Sequence, residues 1–238
     1  MLKTFGIVLA AAWITSPLSA AVLTFDIAHN VQNEAIFTDY GNRISSFNTG
    51  NYSYGTAGGL TPHISISYNS NVTAPTQCSF ADSTPCVYWW DNGLGDLTNV
   101  IAQGATSGPS MGVIQITLTA DPGYLVTLNS FDLTGWPFEG YPTETISSVT
   151  VGYGGSYAFS QNNVVVPFAN NGHITIAPNV TGHTLMLTIN ANNLPYYFAD
   201  NIALDNLEFS QSSNPEPATL SLCGLALVSI GFLRRRRR

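Results

Sequence analysis

Along residues 22–209 apolar side chains recur at every second position, in short stretches bounded by Gly, Pro, Asn or Asp. The pattern is clearest in HISISY at 63–68, GVIQITLT at 112–119, YLVTLNSFDL at 124–133 and HTLMLTIN at 183–190. It continues in VLTFDI at 22–27, ISSVTVGY at 146–153, NVVVPF at 163–168, HITIA at 173–177 and IALDNLEF at 202–209. A period of two puts alternate side chains on opposite faces of an extended chain, so each stretch is predicted to be a strand with one buried face. Nine such strands with almost no helical period predict an all-β fold, an antiparallel β-sandwich filling one domain over 22–210. Leu97, Val100 and Ile101 suit a helical turn, a loop or a strand. GYGGSY at 152–157 lies between two strand patterns and reads as a hairpin turn.

The two ends break this pattern. Lys3, the apolar run FGIVLAAAWI and the small residues Ser19, Ala20 and Ala21 have the layout of a secretory signal over 1–21, with cleavage expected after Ala20 or Ala21. The apolar run is short for a bilayer span, which favours export through the secretion translocon over an uncleaved anchor. At the other end a polar linker, 211–217, leads into Pro215, Glu216 and Pro217, then into ATLSLCGLALVSIGFL, then into Arg234, Arg235, Arg236, Arg237 and Arg238. Residues 218–233 as a helix run about 24 Å at 1.5 Å per residue, a little short of a hydrocarbon core of about 30 Å. Arginine stems can snorkel to cover that difference. One transmembrane helix is therefore expected, with the Arg cluster on the cytoplasmic side.

The order of Pro-Glu-Pro, short apolar helix and terminal Arg cluster resembles the PEP-CTERM sorting signal of Gram-negative bacteria. The resemblance implies an exosortase substrate: exported, held transiently in the inner membrane, processed near Pro215, Glu216 and Pro217, and released to the cell surface or extracellular matrix. It covers about 25 residues and leaves the activity of the body open.

Charge narrows the function classes. Only 9% of the 238 residues are Asp, Glu, Lys or Arg, against roughly 25% in an ordinary soluble domain. Six of the seven cations lie in the two terminal segments, so residues 22–217 hold Arg43 against fourteen acids, a net of −13. Such a body has no clustered Lys and Arg to hold a phosphate backbone, which excludes nucleic-acid binding. Cys78 and Cys86 flank SFADSTP, and export places them where a disulfide between them persists. Seven intervening residues and no nearby His disfavour a zinc pair.

The start of the mature chain, Phe25 and Asp26, and the terminal IALDNLEF resemble the jelly-roll domains of carbohydrate-binding modules and galactose-binding-like proteins. Segments 39–46, 95–100, 116–133 and 199–209 also resemble an uncharacterised group of PEP-CTERM cargo proteins. The first resemblance implies a structural calcium ion bridging the first and last strands, with Asp26 and Asp205 as its ligands. A local reading of Asp205 and Asn206, hydrogen-bonding the backbone at a bulge, stands beside it.

Sugars stack their apolar C–H faces on aromatic rings and offer hydroxyls to Asn, Asp and Gln. Three clusters suit that chemistry: Tyr88, Trp89 and Trp90; Trp136, Phe138 and Tyr141 in WPFEGYP; and Tyr196, Tyr197 and Phe198. Trp136, Tyr141, Trp89 and Trp90 are the candidate carbohydrate contacts, although sandwich cores also take their bulk from aromatics. A glycosidase needs two carboxylates in one cleft, which Glu34, Asp39, Glu139 and Glu144 would have to supply. No nucleophile elbow, Cys-His arrangement or phosphate-cradling loop is present in the sequence. His29, His63, His173 and His183 are scattered without metal-ligand spacing. The reading is a non-catalytic protein that associates with polysaccharide or matrix glycans. A passive biofilm-matrix component is its alternative, and a carboxylate-dependent glycosidase comes third.

Overall fold

A computed structural model describes residues 19–27, 35–56, 59–70, 87–90, 94–103, 112–136, 143–168, 172–194 and 202–214. Thirteen strands form two sheets. The eight-stranded sheet contains β1 (Ser19–Ile27), β2 (Tyr52–Thr56), β4 (Val87–Trp90), β5 (Val100–Gln103), β7 (Tyr124–Gly135), β10 (Ile174–Ile176), β11 (Val180–Gly182) and β13 (Ile202–Ser213). The five-stranded sheet is ordered β3 (Ile64–Ser70), β6 (Val113–Ala120), β12 (Thr184–Asn190), β8 (Thr143–Tyr153) and β9 (Ser156–Pro167). All pairings between named strands are antiparallel.

Alternation builds the sandwich as the sequence predicts. In β6, Ile114, Ile116 and Leu118 turn inward, while Gln115, Thr117 and Thr119 turn outward. β12 does the same with Leu185, Leu187 and Ile189. From the opposite sheet Leu23, Phe25, Phe131, Leu133, Leu207 and Phe209 enter the same core, all fully buried. A buried Leu or Phe side chain is worth roughly 1.5–3 kcal/mol, so this shared layer holds the two sheets together.

The structure differs from the sequence reading in extent. Strands β2, β4, β5 and β11 are additional, and residues 100–103, left open above, are strand. β9 begins seven residues before the expected 163, because its polar half, SYAFSQNN, pairs with β8 without offering an apolar period. The turn between them uses Gly154 and Gly155 at φ +62° and +85°, a left-handed pair that glycine adopts without a Cβ penalty. Gly135, at the end of β7, is required for packing: a Cβ there would lie 2.0 Å from the Phe168 ring.

Strand β13 positions the site. One side of it pairs with β7 along its whole length; the other pairs with β5 at Ala203 and Leu204, then with β1 from Leu207 onward. At the changeover both β13 and β1 are irregular, with a register shift after Asp205 and another between Val22 and Asp26. Asn206 sits at φ +50°, which Asn tolerates; Phe25, at φ +52°, is a bulky residue forced into the left-handed region.

Candidate functional site

Alternation in β4 separates its aromatic residues. Val87 and Trp89 face the main core, and the Trp89 indole N–H donates to the Phe25 carbonyl at 2.8 Å. Trp89 therefore belongs to the interior and is withdrawn as a sugar contact: its ring is 6% exposed and its polar atom is already engaged. Tyr88 and Trp90 point the other way, onto the outer face of the eight-stranded sheet. There they meet Leu94, Leu97, Val100, Ala102, Ala203 and Trp136 in a second, smaller apolar cluster.

Trp90 and Trp136 pack edge to face, with ring centroids 5.3 Å apart and an interplanar angle of 88°. Both are half-buried. The Trp90 indole N–H is buried with no hydrogen-bond partner among the described residues, a state that costs about 1–3 kcal/mol unless another group satisfies it. Sequence reasoning named both residues but not their meeting, which depends on β5 and β13 lying between β4 and β7. Tyr141 lies outside the described residues.

On the same outer face is a group of acids. Asp132 and Asp205 are opposite each other on β7 and β13, 8% and 5% exposed. Asp132 accepts hydrogen bonds from the Thr175 hydroxyl at 2.6 Å and the Asn206 side-chain amide at 2.9 Å. Asp205 accepts from the Asn206 backbone N–H at 2.6 Å. Burial, with Asp132 and Asp26 adding repulsion, pushes the Asp205 carboxyl up to about 8. His173 Nδ1 lies 2.9 Å from Asp96, with its Nε2 3.8 Å from Asp132, and its pKa is raised chiefly by the hydrogen bond to Asp96.

The two expected calcium ligands are adjacent in this frame but locally engaged. Asp26 accepts from the Thr24 hydroxyl at 2.9 Å and from the Asn99 side-chain amide, and Asp205 holds the bulge at Asn206. Among the described residues no three His, Cys, Asp or Glu side chains form a group that could hold a metal ion.

Other candidates are dispersed. Asp39 accepts from the Tyr52 hydroxyl at 2.5 Å beside the edge strand β2, whereas Glu144 lies on β8 of the other sheet. Glu34 and Glu139 lie outside the described residues, as do Cys78, Cys86, Pro215, Glu216, Pro217 and the five terminal arginines. No helix among the described residues is long and apolar enough to cross a membrane.

Asp96, Asn99, Asp132 and His173 were missed from the sequence as members of one site. The signal for Asp132 was present, because period two in SFDLTGW places Asp132, Thr134 and Trp136 on one face while Phe131 and Leu133 enter the core. Asp96 and His173 are far apart in sequence, and only the fold brings them together.

No protein-family model and no curated protein matches the chain. Similar solved structures include CBM32-3 from a family 31 glycoside hydrolase of Clostridium perfringens, at 11% identity and a TM-score of 0.28, covering 61% of this chain and 88% of that one. A second is CpGH89CBM32-5 from the same organism, in complex with GalNAc-β-1,3-galactose, at 13% identity and a TM-score of 0.23, covering 63% and 95%. Likeness at this level carries no argument about ligand or site. The class defined by the chain itself is an all-β protein of two packed antiparallel sheets.

Proposed function

We propose that this is an exported, non-catalytic protein that associates with polysaccharide through the outer face of the eight-stranded sheet. The carrying observation is the Trp90–Trp136 pair, half-buried and set edge to face, with an indole N–H that lacks a partner among the described residues. An aromatic corner on the same sheet face as hydrogen-bonding carboxylates and amides supplies both halves of sugar recognition, stacking for C–H faces and polar groups for hydroxyls. Export rests on the secretory layout of 1–21 and on the Pro-Glu-Pro, apolar and Arg order of 215–238. In this reading an exosortase processes the tail near Pro215, Glu216 and Pro217, and the body reaches the surface or matrix.

Sedimentation of the full-length chain with insoluble polysaccharides and the producer's own matrix tests the binding. Saturable retention that Trp136→Ala and Trp90→Ala abolish is expected. Retention unchanged by both substitutions would remove this site, and no retention at all would leave the passive matrix component as the better account. Repeating the assay with chelator tests calcium at Asp26 and Asp205. An ion there would offset the burial and acidic neighbours that raise Asp205, and retention and melting temperature would both fall when it is withdrawn.

A further inference from the structure

The edge of a sheet exposes a row of backbone donors and acceptors to which another strand can add. Among the described residues most edges are closed. The outer side of β2 is covered by 47–49: Tyr54 N–H donates to the Phe47 carbonyl and Thr49 N–H to the Tyr52 carbonyl, each at 3.0 Å. Along β3, Arg43 N–H donates to the Ile64 carbonyl at 2.8 Å, and Ile66 N–H to the Asn42 side-chain oxygen at 2.5 Å. Ala35 bridges to Tyr88 on β4, and Ile36 N–H donates to the Val87 carbonyl at 3.2 Å. β10 and β11 are three residues each. β9 differs from all of these: over 12 residues it pairs with β8, and no backbone hydrogen bond among the described residues closes its other side.

β9 also lacks the residues that blunt an edge, with no Asp, Glu, Lys or Arg and no Pro before Pro167. Val164 and Val166 enter the core, so Val165 between them turns outward, 52% exposed. Ser160 pairs with Thr150, which lies between the inward Val149 and Val151, so Ser160 turns outward, as does Asn162 two residues on. The extra residue at Ala158, where the register shifts, brings Tyr157 to that same face, 62% exposed. Asn163, at φ +53°, makes the matching reversal before Val164. The outward side chains Tyr157, Ser160, Asn162 and Val165 are therefore symmetric about Gln161: apolar, polar, polar, apolar.

We propose that β9 is a self-association edge, at which a second copy of the chain adds antiparallel about a two-fold axis at Gln161 and joins the two five-stranded sheets into one. That register sets Tyr157 opposite Val165 of the second copy and Ser160 opposite its Asn162, and the symmetry repeats both pairs. An aromatic ring facing a β-branched side chain is a favourable cross-strand pair. A pattern that reads the same from either end fits a copy of itself better than an unrelated strand. With a net charge of −13 on the body, two copies repel over most of their surface, and a strand without acids is where they approach at least cost. The two-fold uses up both β9 edges, and the closed β3 edge stops further growth, so the product is a dimer and not a fibre. No ligand is needed for this, and the other sheet takes no part.

Sedimentation velocity of the full-length chain over a concentration series tests the pairing. The wild type is expected to form a dimer whose share rises with concentration. Ser160→Lys with Asn162→Lys places like charges opposite each other across the axis and should weaken the dimer about tenfold or more; Ser160→Glu with Asn162→Glu should do the same. An equimolar mixture of these two double variants should regain the dimer, a rescue that damage to the fold would not give. Tyr157→Ser with Val165→Thr should weaken it about fivefold. The charged variants should melt as the wild type does, since their substitutions lie on an exposed edge. A wild type still monomeric at about 1 mM overturns the inference, as does a dimer that neither charged pair diminishes, which would place the contact elsewhere on the chain. Loss of the dimer in both charged pairs without recovery on mixing would overturn the two-fold at Gln161.

Discussion

On the outer face of the eight-stranded sheet Asp132 and Asp205 are buried among Thr175, Asn206 and His173, and the same face carries the small apolar cluster built on β4, β5 and β13. On the outer face of the five-stranded sheet, Thr117 and Thr188 stand half-exposed in rows without a charged neighbour on that face. Both faces belong to strands of the same period and turn away from the same core. The first is partly covered by the segment between β4 and β5, whose Leu94 and Leu97 enter the small apolar cluster, and its carboxylates are partly stripped of water and must find donors. The second is roofed by no described strand, and its side chains exchange hydrogen bonds with whatever lies above. Burial outside the core, then, separates the site in which the Asp205 carboxyl is raised from an open polar surface.

The same substitution made on each face gives the sharpest contrast. Ala203 is fully buried in the small cluster, and Ala203→Glu forces a carboxylate among apolar side chains, at a cost of about 4 kcal/mol or more. Thr188→Glu adds a charge on an open strand face and should change stability by about 0.5 kcal/mol or less. Urea denaturation of the two variants measures both. Equal losses would mean that the five-stranded face is also covered.

Trp89 and Trp90 extend the comparison to neighbours in the chain. Trp89→Ala removes a buried ring and an indole hydrogen bond to the distorted Phe25, costing about 3–5 kcal/mol. Trp90→Ala forfeits the contact with Trp136, about 1–3 kcal/mol, and also relieves an unsatisfied N–H. Glycan retention should fall for Trp90→Ala under conditions where both variants remain folded. For Trp89→Ala it should be retained, and the reverse pattern would exchange their roles.

These neighbours also show where the sequence was legible. Strands β6 and β12 were readable because Ile and Leu recur at every second position, with polar residues or Met between them, over a strand with one dry and one wet face. In VYWW all four residues suit either face, so only the pairing of β4 with β5 decides which ring is interior. The polar half of β9 projects at the sheet edge with Tyr157, Ala158 and Ser160 exposed, and no apolar row marks it. The resemblance to a jelly roll set the first and last strands side by side, and β1 does pair with β13. Asp132 and His173 become neighbours only through the β7 pairings with β13 and β10.

A smaller effect is expected from pH. The Asp205 pKa is raised from 3.8 to about 8 by burial first and by its acidic neighbours second. A raised folded-state pKa means that the folded chain binds a proton the unfolded chain has released. The stability from this group is complete below about pH 4 and declines as pH rises through 8. Asp205→Asn keeps an acceptor for the Asn206 N–H and removes the titration. The variant should gain about 1–2 kcal/mol over the wild type at pH 8 and little at pH 4. His173, also raised, keeps a weaker decline of the same sign above its usual 6.5. Identical pH profiles for the two proteins would show that Asp205 is hydrated, dissolving its contrast with the acid-free face.

The smallest effect belongs to the joint between the sheets. Asp121 lies in the turn from β6 to β7, one strand in each sheet, and accepts both Arg43 guanidinium nitrogens at 2.7 Å. His63, stacked on Tyr124 with centroids 3.8 Å apart, reaches the same carboxylate at 3.3 Å. The Arg43 hydrogen bonds hold the Asp121 carboxyl below its usual 3.8, so this contribution is present at neutral pH and is lost on acidification through that lowered value. Both partners are open to solvent, where an ion pair contributes little and salt screens it. Arg43→Gln should therefore lower the melting temperature slightly in dilute buffer and not at all in about 1 M salt, where the Debye length is about 3 Å. A large, salt-independent loss would show that the β6–β7 turn, and not the shared apolar core, sets the position of one sheet on the other.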